Sequence, residues 1–399
     1  MQISPETQLF IREHQTDDVR ALALQARKYP NVDMPTAITQ IAGRQVAAEK
    51  IPSWSDMDDI WYPKHLSLEQ CSSEVTARYK ATLLKGNSLT DLTGGFGIDC
   101  AFLAAKFKSA IYVERQQELC EIAAHNFPIL NLNHINVKNE DGVSYLQAMS
   151  PVDCIFLDPA RRNEHGGKTV AISDCEPDVA ELEELLLNKA GQVMVKLSPM
   201  LDLSLALKEL QHVQEVHIIS ANNECKELLL ILGQASVEEI SIHCVNLPTK
   251  GIQEEQHFVF TREQEQCSEC NYTNALENYL YEPNASLLKA GAFRSIASAF
   301  PVKKLHPNSH LYTSGEPIKN FPGRSFRITG VCTLNKKELK GVLGDLKKAN
   351  ITVRNFPSSV AELRKRIKLN EGGEVYLFAT TLINEQKVLI RCEKTEIRN

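Results

Sequence analysis

The sequence predicts an α/β protein whose central domain is a doubly wound parallel sheet. A short strand at residues 88–91 ends in an aspartate and leads into a turn, residues 92–97, that contains three glycines. A second strand at residues 110–114 also ends in an acid, about 20 residues later, where doubly wound domains place a carboxylate against ribose hydroxyls. A strongly apolar strand at residues 152–157 then runs directly into another aspartate. Strands that alternate with helical segments in this way are typical of the fold.

The glycine turn indicates a nucleotide-like ligand. Gly94, Gly95 and Gly97 would allow backbone N–H groups to approach a bound molecule closely. Their spacing differs from G-x-G-x-x-G, and no Lys-Ser or Lys-Thr pair follows that would bind phosphates. The glycines alone therefore do not identify the ligand.

Acidic residues follow four successive predicted strands: Asp91, Glu114, Asp141 and Asp158. This order resembles the class I S-adenosylmethionine-dependent methyltransferases, and the resemblance extends over residues 88–232. It implies a Rossmann-like, seven-stranded methyltransferase core that binds S-adenosylmethionine. The alternative is a dehydrogenase-type nucleotide fold in which Asp158 lies in a capped turn.

The resemblance also implies a role for each part of the site. Glu114 would hold the ribose hydroxyls of the cofactor, and Asp141 would face its adenine amino group. The methionine part of the cofactor would meet the glycine turn, through Asp91, Thr93, Gly94, Gly95 and Gly97. The methyl donor and the substrate would meet the next loop, formed by Asp158, Pro159, Ala160 and Arg161.

A capped helix is predicted at residues 67–82, immediately before the first strand. In Rossmann-like methyltransferases an element at this place often closes over the cofactor. Ser72, Ser73 and Thr76 are therefore candidate cofactor contacts. The alternative is that this helix serves only for capping and packing.

The loop after Asp158 departs from two known substrate patterns. Amino-directed methyltransferases usually carry Asn/Asp-Pro-Pro-aromatic, whereas Ala160 and Arg161 replace the second proline and the ring here. Asp-Pro-Ala-Arg resembles the RNA uridine C5 methyltransferases, which need a cysteine after the fifth strand. This chain has Lys196-Leu-Ser-Pro there, and an unactivated serine is a poor nucleophile. A more distant likeness to trimethylguanosine synthase favours transfer to a base nitrogen.

Composition favours a soluble cytoplasmic protein. The 399 residues are 43% hydrophobic and 24% charged, which suits two or three globular domains. No apolar run is long enough to span a membrane, and the amino terminus lacks the features of a signal peptide. The 11 cysteines are interpreted as reduced thiols. Cys267, Cys270, His306 and His310 have ligand-like spacing, but the two pairs lie too far apart for a usual zinc finger, so no metal site is predicted.

Charge divides the chain into an acidic body and a basic segment. Residues 285–370 contain 17 Lys and Arg against four acids, although the whole chain has a net charge of −6. Such a segment favours a polyanionic partner, because phosphate contacts supply most of the affinity for nucleic acid. The candidate RNA-binding residues are Arg324, Arg327, Arg364, Lys365, Arg366 and Lys368.

Four regions are predicted: an amino-terminal helical region (1–86), a methyltransferase core (87–235), a hairpin linker with a small ferredoxin-like segment (236–322), and a basic THUMP-like module (323–399). The last two regions resemble those of bacterial methyltransferases that carry a carboxyl-terminal α+β THUMP-like module. The sequence thus predicts an S-adenosylmethionine-dependent methyltransferase that acts on tRNA or rRNA at a base nitrogen. The alternatives are a non-catalytic RNA-binding or assembly protein with this fold, and an enzyme that methylates a protein or a small molecule. The oligomeric state is not predicted.

Overall fold

The computed structural model describes residues 3–161, 171–248 and 254–395. The chain forms two compact units, and the first comprises Met1–Val216 and Glu227–Glu238. The second comprises His217–Lys226 and Glu239–Asn399. The boundary therefore passes through one β-hairpin.

The amino-terminal part of the first unit is helical, as the sequence predicts. Its helices are α1 (Pro5–Glu13), α2 (Val19–Leu24), a short 3₁₀ helix (Ala26–Lys28), α3 (Met34–Lys50), α4 (Pro52–Ser55), α5 (His65–Gln70) and α6 (Glu74–Leu83). Asp18 and Asp33 cap α2 and α3 by accepting hydrogen bonds from backbone N–H groups of the first turn, a role that stabilises helix starts.

The single helix predicted at residues 67–82 is wrong, because the chain breaks between α5 and α6. Ser72 lies in the break, and its hydroxyl donates a hydrogen bond of 2.7 Å to Asp99 Oδ2. Ser73 then caps α6, since its hydroxyl accepts a hydrogen bond from the backbone of Thr76. The tertiary contact of Ser72 thus interrupts a segment whose local pattern is continuous.

The rest of the first unit alternates strands and helices, and its last two strands form the hairpin through which the unit boundary passes. The elements are β1 (Ser88–Asp91), α7 (Ile98–Ala104), β2 (Ser109–Glu114), α8 (Gln117–Ile129), β3 (Ile135–Asn139), α9 (Gly142–Ala148), β4 (Val152–Leu157), β5 (Ala160–Arg161), a 3₁₀ helix (Ile172–Asp174), β6 (Cys175–Glu176), α10 (Val179–Lys189), β7 (Ala190–Leu197), α11 (Leu203–Glu209), β8 (Val213–Ala221) and β9 (Glu224–Gly233).

These elements form the predicted Rossmann-like sheet. Strands β3, β2, β1, β4 and β7 are adjacent in that order and parallel. Strand β9 pairs antiparallel with β7, and β8 follows it in the strand order. The β8–β9 turn contains Asn222 and Asn223 at φ angles of 52° and 63°, a conformation that asparagine tolerates better than most residues. The fold class is therefore the predicted methyltransferase-like one.

The core of this sheet is apolar, and it packs against the amino-terminal helices. Trp54 and Leu68 lie in one buried cluster with Phe96, Tyr112 and Phe127. Trp54 and Phe96 meet edge to face, with ring centroids 5.3 Å apart, which is a favourable aromatic geometry. The helices before β1 are thus part of the core that supports the glycine turn.

The second unit is an α+β module. Its elements are β10 (Ser241–Leu247), β11 (Gln256–Phe260), α12 (Arg262–Cys267), β12 (Tyr279–Pro283), α13 (Ala285–Ala290), α14 (Phe293–Ala299), β13 (Lys303–Lys304), β14 (Tyr312–Ser314), β15 (Gly323–Cys332), α15 (Lys336–Leu343), β16 (Asn350–Arg354), α16 (Val360–Ile367), β17 (Val375–Thr381) and β18 (Lys387–Lys394).

The hairpin predicted at the start of this unit is confirmed, because strands β10 and β11 pair antiparallel. Strand β16, helix α16 and strand β17 form a strand-helix-strand unit, with the two strands parallel. A seven-stranded sheet in the order β13-β14-β12-β15-β18-β17-β16 contains both strands. Within the described parts of the chain, no helix combines the length and the apolar character that crossing a membrane requires.

Candidate active site

The four strand-end acids predicted from the sequence lie along one edge of the sheet. Asp91 ends β1 and Glu114 ends β2, while Asp141 follows β3 and Asp158 follows β4 directly. These strands are neighbours in the order β4-β1-β2-β3, and all of them are parallel. Their carboxyl ends therefore meet at the same edge, where open α/β sheets bind ligands.

Hydrogen bonds connect the glycine turn to its neighbouring strands. Thr93 N donates to Asp91 Oδ1 at 2.9 Å, and Thr93 Oγ1 accepts a bond of 2.6 Å from Asp158 N. Gly95 N donates to Glu114 Oε2 at 2.9 Å. Three of the four acid-bearing strand ends are thus fixed relative to one another through this turn.

Two positions in the turn require glycine. A Cβ atom on Gly94 would lie 2.2 Å from Cε2 of Tyr112, whose hydroxyl donates to Gly95 O at 2.5 Å. Gly97 has a φ angle of 88°, which other L-residues rarely adopt. The glycine pattern in the sequence is therefore explained by close packing as well as by backbone conformation.

Asp91 has a buried oxygen that lacks a partner. The residue is 1% exposed, and within the described residues no group makes a hydrogen bond to its Oδ2 atom. Burial raises the pKa of Asp91 well above its usual value, against the hydrogen bond from Thr93 N. The nearby charges of Asp99, Asp158 and Glu114 raise the pKa further. A ligand that brings a cationic hydrogen-bond donor would satisfy this oxygen.

The backbone holds Glu114 and Asp141. Glu114 is buried, and its second oxygen, Oε1, accepts a hydrogen bond of 2.8 Å from Gln116 N. Asp141 caps α9 through bonds from Val143 N at 3.1 Å and Ser144 N at 2.9 Å, and the bond from Ser144 N lowers the pKa of Asp141. A carboxylate has about four acceptor sites, so both side chains keep capacity for a ligand.

A buried ion network, which the sequence analysis missed, adjoins Asp158. Lys196, on β7, has its Nζ atom 2.5 Å from Asp158 Oδ2 and 3.3 Å from Asp99 Oδ2. Lys80, on α6, is fully buried, with Nζ 3.1 Å from Asp99 Oδ1 and 2.6 Å from Glu227 Oε1. The buried ion network consists of these residues together with Ser72. A lysine within the apolar run 192–197 was the available sequence signal.

The charges in this network are mutually stabilised. Burial alone would raise the pKa of Asp99, but the ammonium groups of Lys80 and Lys196 outweigh it and lower that pKa to about 2. Burial alone would lower the pKa of Lys196, but Asp158 and Asp99 raise it well above its usual value. Asp99 and Lys196 are therefore charged at neutral pH.

The structure shows local roles for the two candidate residues on α6. Ser73 caps the helix, and the buried Thr76 hydroxyl donates a hydrogen bond of 3.1 Å to Ser73 O. Their contact with a cofactor stays a prediction. Of the predicted substrate loop, Pro159, Ala160 and the backbone of Arg161 are described. Arg162 and the polar, glycine-rich segment at residues 164–168, which the sequence predicts to move over a bound substrate, lie outside the described residues.

A crystal structure of a protein from Porphyromonas gingivalis W83, provisionally named as a methyltransferase, is 36% identical to this chain. The match covers 98% of both chains with a TM-score of 0.87. The chain belongs to this methyltransferase family. The predicted resemblance, a methyltransferase fold followed by a THUMP-like module, is thereby confirmed.

Three family models match parts of this methyltransferase. They describe protein-L-isoaspartate(D-aspartate) O-methyltransferase over residues 54–163, a ferredoxin-like domain over residues 279–322, and a THUMP domain-like region over residues 323–394. The first match ends before β7, so it includes the four strand-end acids but not Lys196. The predicted boundaries of the four regions stay a prediction.

Two further solved structures match at lower similarity. They are an rRNA methylase from Streptococcus thermophilus (TM-score 0.31) and a protein from Streptococcus mutans, provisionally named as a methyltransferase and in complex with SAH (TM-score 0.30). Each is 15% identical and covers 40% of this chain, and each match extends over 96% of the matched structure's own chain. These TM-scores are too low to support a statement about activity. No curated protein matches the chain.

Two of the candidate RNA-binding arginines in the second unit form salt bridges with glutamates. Glu282 is 1% exposed and binds the guanidinium of Arg324 on one side and that of Arg354, at 2.9 Å, on the other. Arg327 forms an exposed pair with Glu393 at 3.0 Å. Glu282 thus holds two arginines together, of which the sequence analysis named only Arg324.

The other four candidates form the α16 basic patch, defined as Arg364, Lys365, Arg366 and Lys368. Arg364 and Arg366 donate to the backbone oxygens of Ala349 and Leu334 at 3.3 Å and 3.2 Å. Lys365 and Lys368 are exposed at the carboxyl end of the helix. The patch therefore combines two arginines that bind backbone oxygens with two solvent-exposed lysine ammonium groups.

Proposed function

We propose that this methyltransferase uses S-adenosylmethionine and methylates RNA, tRNA or rRNA, at a base nitrogen. The observation that carries the proposal is the row of four strand-end acids, within which the Oδ2 atom of Asp91 is buried and has no hydrogen-bond partner among the described residues. When bound, the cofactor supplies a methyl group on a positively charged sulfur atom.

The residues of the site fit such a cofactor. Asp91 offers a buried acceptor that suits the ammonium group of the methionine part, because charge-assisted hydrogen bonds are stronger than neutral ones. Glu114 and Asp141 keep acceptor capacity for the ribose hydroxyls and the adenine amino group. Gly94 and Gly95 keep the turn free of side chains.

Asp158 favours a nucleophile that carries N–H. Its side chain is 36% exposed although Lys196 binds Oδ2, so the carboxylate can accept a hydrogen bond from an amino group. The nitrogen lone pair would form the new bond to the methyl carbon while the carbon–sulfur bond breaks and leaves its electron pair on sulfur. The nitrogen would then lose a proton, and Asp158 would accept it. Solvent can then receive the proton from this partly exposed carboxylate.

Methylation of a protein carboxylate is the second candidate, and the O-methyltransferase model over residues 54–163 favours it. A substrate carboxylate would, however, approach Asp158 with Asp99 and Asp91 nearby, where like charges repel. The match also stops before Lys196, and it therefore bears on the cofactor half of the core. A neutral base nitrogen fits this electrostatic setting better.

RNA as the substrate is supported by the second unit. The THUMP-like match over residues 323–394 coincides with most of the basic segment. The Arg324–Glu282–Arg354 cluster and the α16 basic patch supply cations of the type that contact phosphates. A non-catalytic RNA-binding protein with this fold would bind RNA through the same surfaces, and its four strand-end acids would have no catalytic role.

The test uses methyl-labelled S-adenosylmethionine and total RNA from cells that lack the protein. Purified protein should transfer label to one nucleoside, and nucleoside mass spectrometry should identify the methylated atom. Asp158→Ala should abolish the transfer while RNA binding is retained, which distinguishes an enzyme from a binding protein. Label that enters protein but not RNA would contradict the proposal.

A further inference from the structure

The sheet register brings Lys196 beside Asp158. Strands β4 and β7 are parallel neighbours, and Leu157 is paired with Val195. The next residues along the two strands are Asp158 and Lys196. Their contact therefore follows from the sheet itself and does not depend on a flexible loop.

The ammonium group of Lys196 has all three donors engaged. Its Nζ atom lies 2.5 Å from Asp158 Oδ2, 3.2 Å from Ser72 Oγ and 3.3 Å from Asp99 Oδ2. Lysine has three N–H donors and no acceptor, so this set saturates the group. The side chain is 11% exposed, and a change in its orientation would break its contact with Asp158 Oδ2.

Two of the residues that Lys196 contacts, Ser72 and Asp99, are themselves held in place. Ser72 lies between α5 and α6, and its hydroxyl also accepts a hydrogen bond of 3.0 Å from Lys80. Asp99 lies in the first turn of α7, directly after the glycine turn. Lys196 is thus held from two other elements of the first unit while it binds the aspartate that faces the substrate.

We propose that Lys196 is a positioning residue for methyl transfer: it holds the Asp158 carboxylate in one orientation, so that this carboxylate accepts a hydrogen bond from the N–H group of the nucleophile. The inference rests on the proposed function. Without a cation at this place, Asp158 would stand near Asp99 and Asp91 with no counter-charge, and its carboxylate would turn toward solvent. Lys196 acts through Asp158 and does not itself contact the substrate.

Lys196 does not serve as a base. Its neighbours Asp158 and Asp99 outweigh the effect of burial and raise the pKa of Lys196 well above the usual range, so the amine carries no free lone pair at neutral pH. The proton of the nucleophile must therefore go to Asp158 or to solvent. Lys196 therefore orients Asp158 and takes no part in accepting the proton.

The test compares three substitutions of Lys196 with a control in the full-length protein. Lys196→Met and Lys196→Gln remove the charge, and Lys196→Arg keeps it. Lys189→Met is the control, because Lys189 is a half-buried lysine of the same unit that donates to Met149 O at 2.6 Å, outside the site. The measurements are kcat and KM with total RNA from cells that lack the protein, and the Kd of S-adenosylmethionine by calorimetry.

We expect Lys196→Met and Lys196→Gln to lower kcat about 100-fold, the typical effect of a misplaced reacting group. The Kd of the cofactor and the KM for RNA should change less than about threefold, and Lys196→Arg should recover about tenfold in kcat. Lys189→Met should match the parent. Lys196→Gln provides the result if Lys196→Met does not fold.

Two results would overturn the inference while the parent methylates RNA. One is a kcat within about threefold of the parent in both uncharged variants. The other is a loss of cofactor affinity as large as the loss of kcat, which would indicate a general structural role. A parent protein that neither binds S-adenosylmethionine nor labels RNA would instead refute the proposed function, and this inference with it.

Discussion

Replacing Lys80 by methionine should destabilise the first unit by about 3–5 kcal/mol, the usual effect of removing one partner from a buried ion pair. Lys80 is fully buried, and its Nζ atom lies 2.6 Å and 2.8 Å from the two oxygens of Glu227. The Glu227 side chain is only 5% exposed, so water cannot replace the lost cation. Asp99 would keep Lys196 as a partner, and most of the cost should therefore arise at Glu227.

Urea unfolding followed by tryptophan fluorescence measures this effect. The two tryptophans, Trp54 and Trp61, both belong to the first unit, so the signal reports on that unit. The double variant Lys80→Met/Glu227→Leu should recover about 2–3 kcal/mol, because the uncompensated charge is absent. Arg78→Ala is the control: Arg78 pairs with Glu74 on the same helix but is 60% exposed.

The control should cost no more than about 1 kcal/mol, as expected of an exposed pair. If Lys80→Met costs no more than Arg78→Ala, the description of a buried, energetically coupled pair is wrong. A double variant as unstable as the single one would also contradict the reasoning, since the loss would then come from packing.

Three further predictions concern Asp91, the glycine turn and the basic surface. Burial raises the pKa of Asp91, so the stability that Asp91 contributes to the ligand-free protein is present below about pH 4, the ordinary carboxyl pKa. This contribution is lost as the pH rises toward the raised pKa of Asp91. The urea midpoint of Asp91→Asn should therefore fall less than that of the parent between pH 5 and pH 8, and an equal fall would contradict this prediction. Gly94→Ala should abolish binding of S-adenosylmethionine in calorimetry, because the new Cβ would lie 2.2 Å from a tyrosine ring. The control is Gly191→Ala, which should bind as the parent does, because its Cβ would meet its nearest neighbour at 3.5 Å. Equal binding by both variants would show that the turn tolerates a side chain. Lys365→Ala/Lys368→Ala should reduce the slope of log K against log salt for bulk tRNA, measured by fluorescence anisotropy, by about 2, and an unchanged slope would remove these lysines from the RNA interface.

The core fold could be predicted because its local signals agree with its tertiary structure. Strands β2, β4 and β7 are largely apolar runs, and the acids at or just after the ends of β1 to β4 mark the points where the chain leaves the sheet. The Asn222–Asn223 turn agrees with the hairpin that it joins, since both residues adopt positive φ angles, which asparagine tolerates. The break before α6 could not be predicted, because it depends on a contact between Ser72 and a residue 27 positions later.

The candidate site was predictable only in part, for a related reason. Asp91, Glu114, Asp141 and Asp158 stand at strand ends, so sequence order alone gives their common edge. Lys80 meets Glu227 across 147 positions, and no local pattern relates them. A lysine on a helix is normally solvent-exposed. The burial of Lys80 could therefore be predicted only if its carboxylate partners were known.

The most direct test of the central claim is calorimetric titration of S-adenosylmethionine into the parent, Asp91→Ala and Asp18→Ala. Asp18 caps α2 at an exposed position, so Asp18→Ala should bind one equivalent of cofactor as the parent does. Asp91→Ala should bind about 30–150-fold more weakly, the loss expected when a charged hydrogen bond worth about 2–3 kcal/mol is removed. If the parent shows no binding, or if Asp91→Ala binds as tightly as the parent, the row of acids is not a cofactor site.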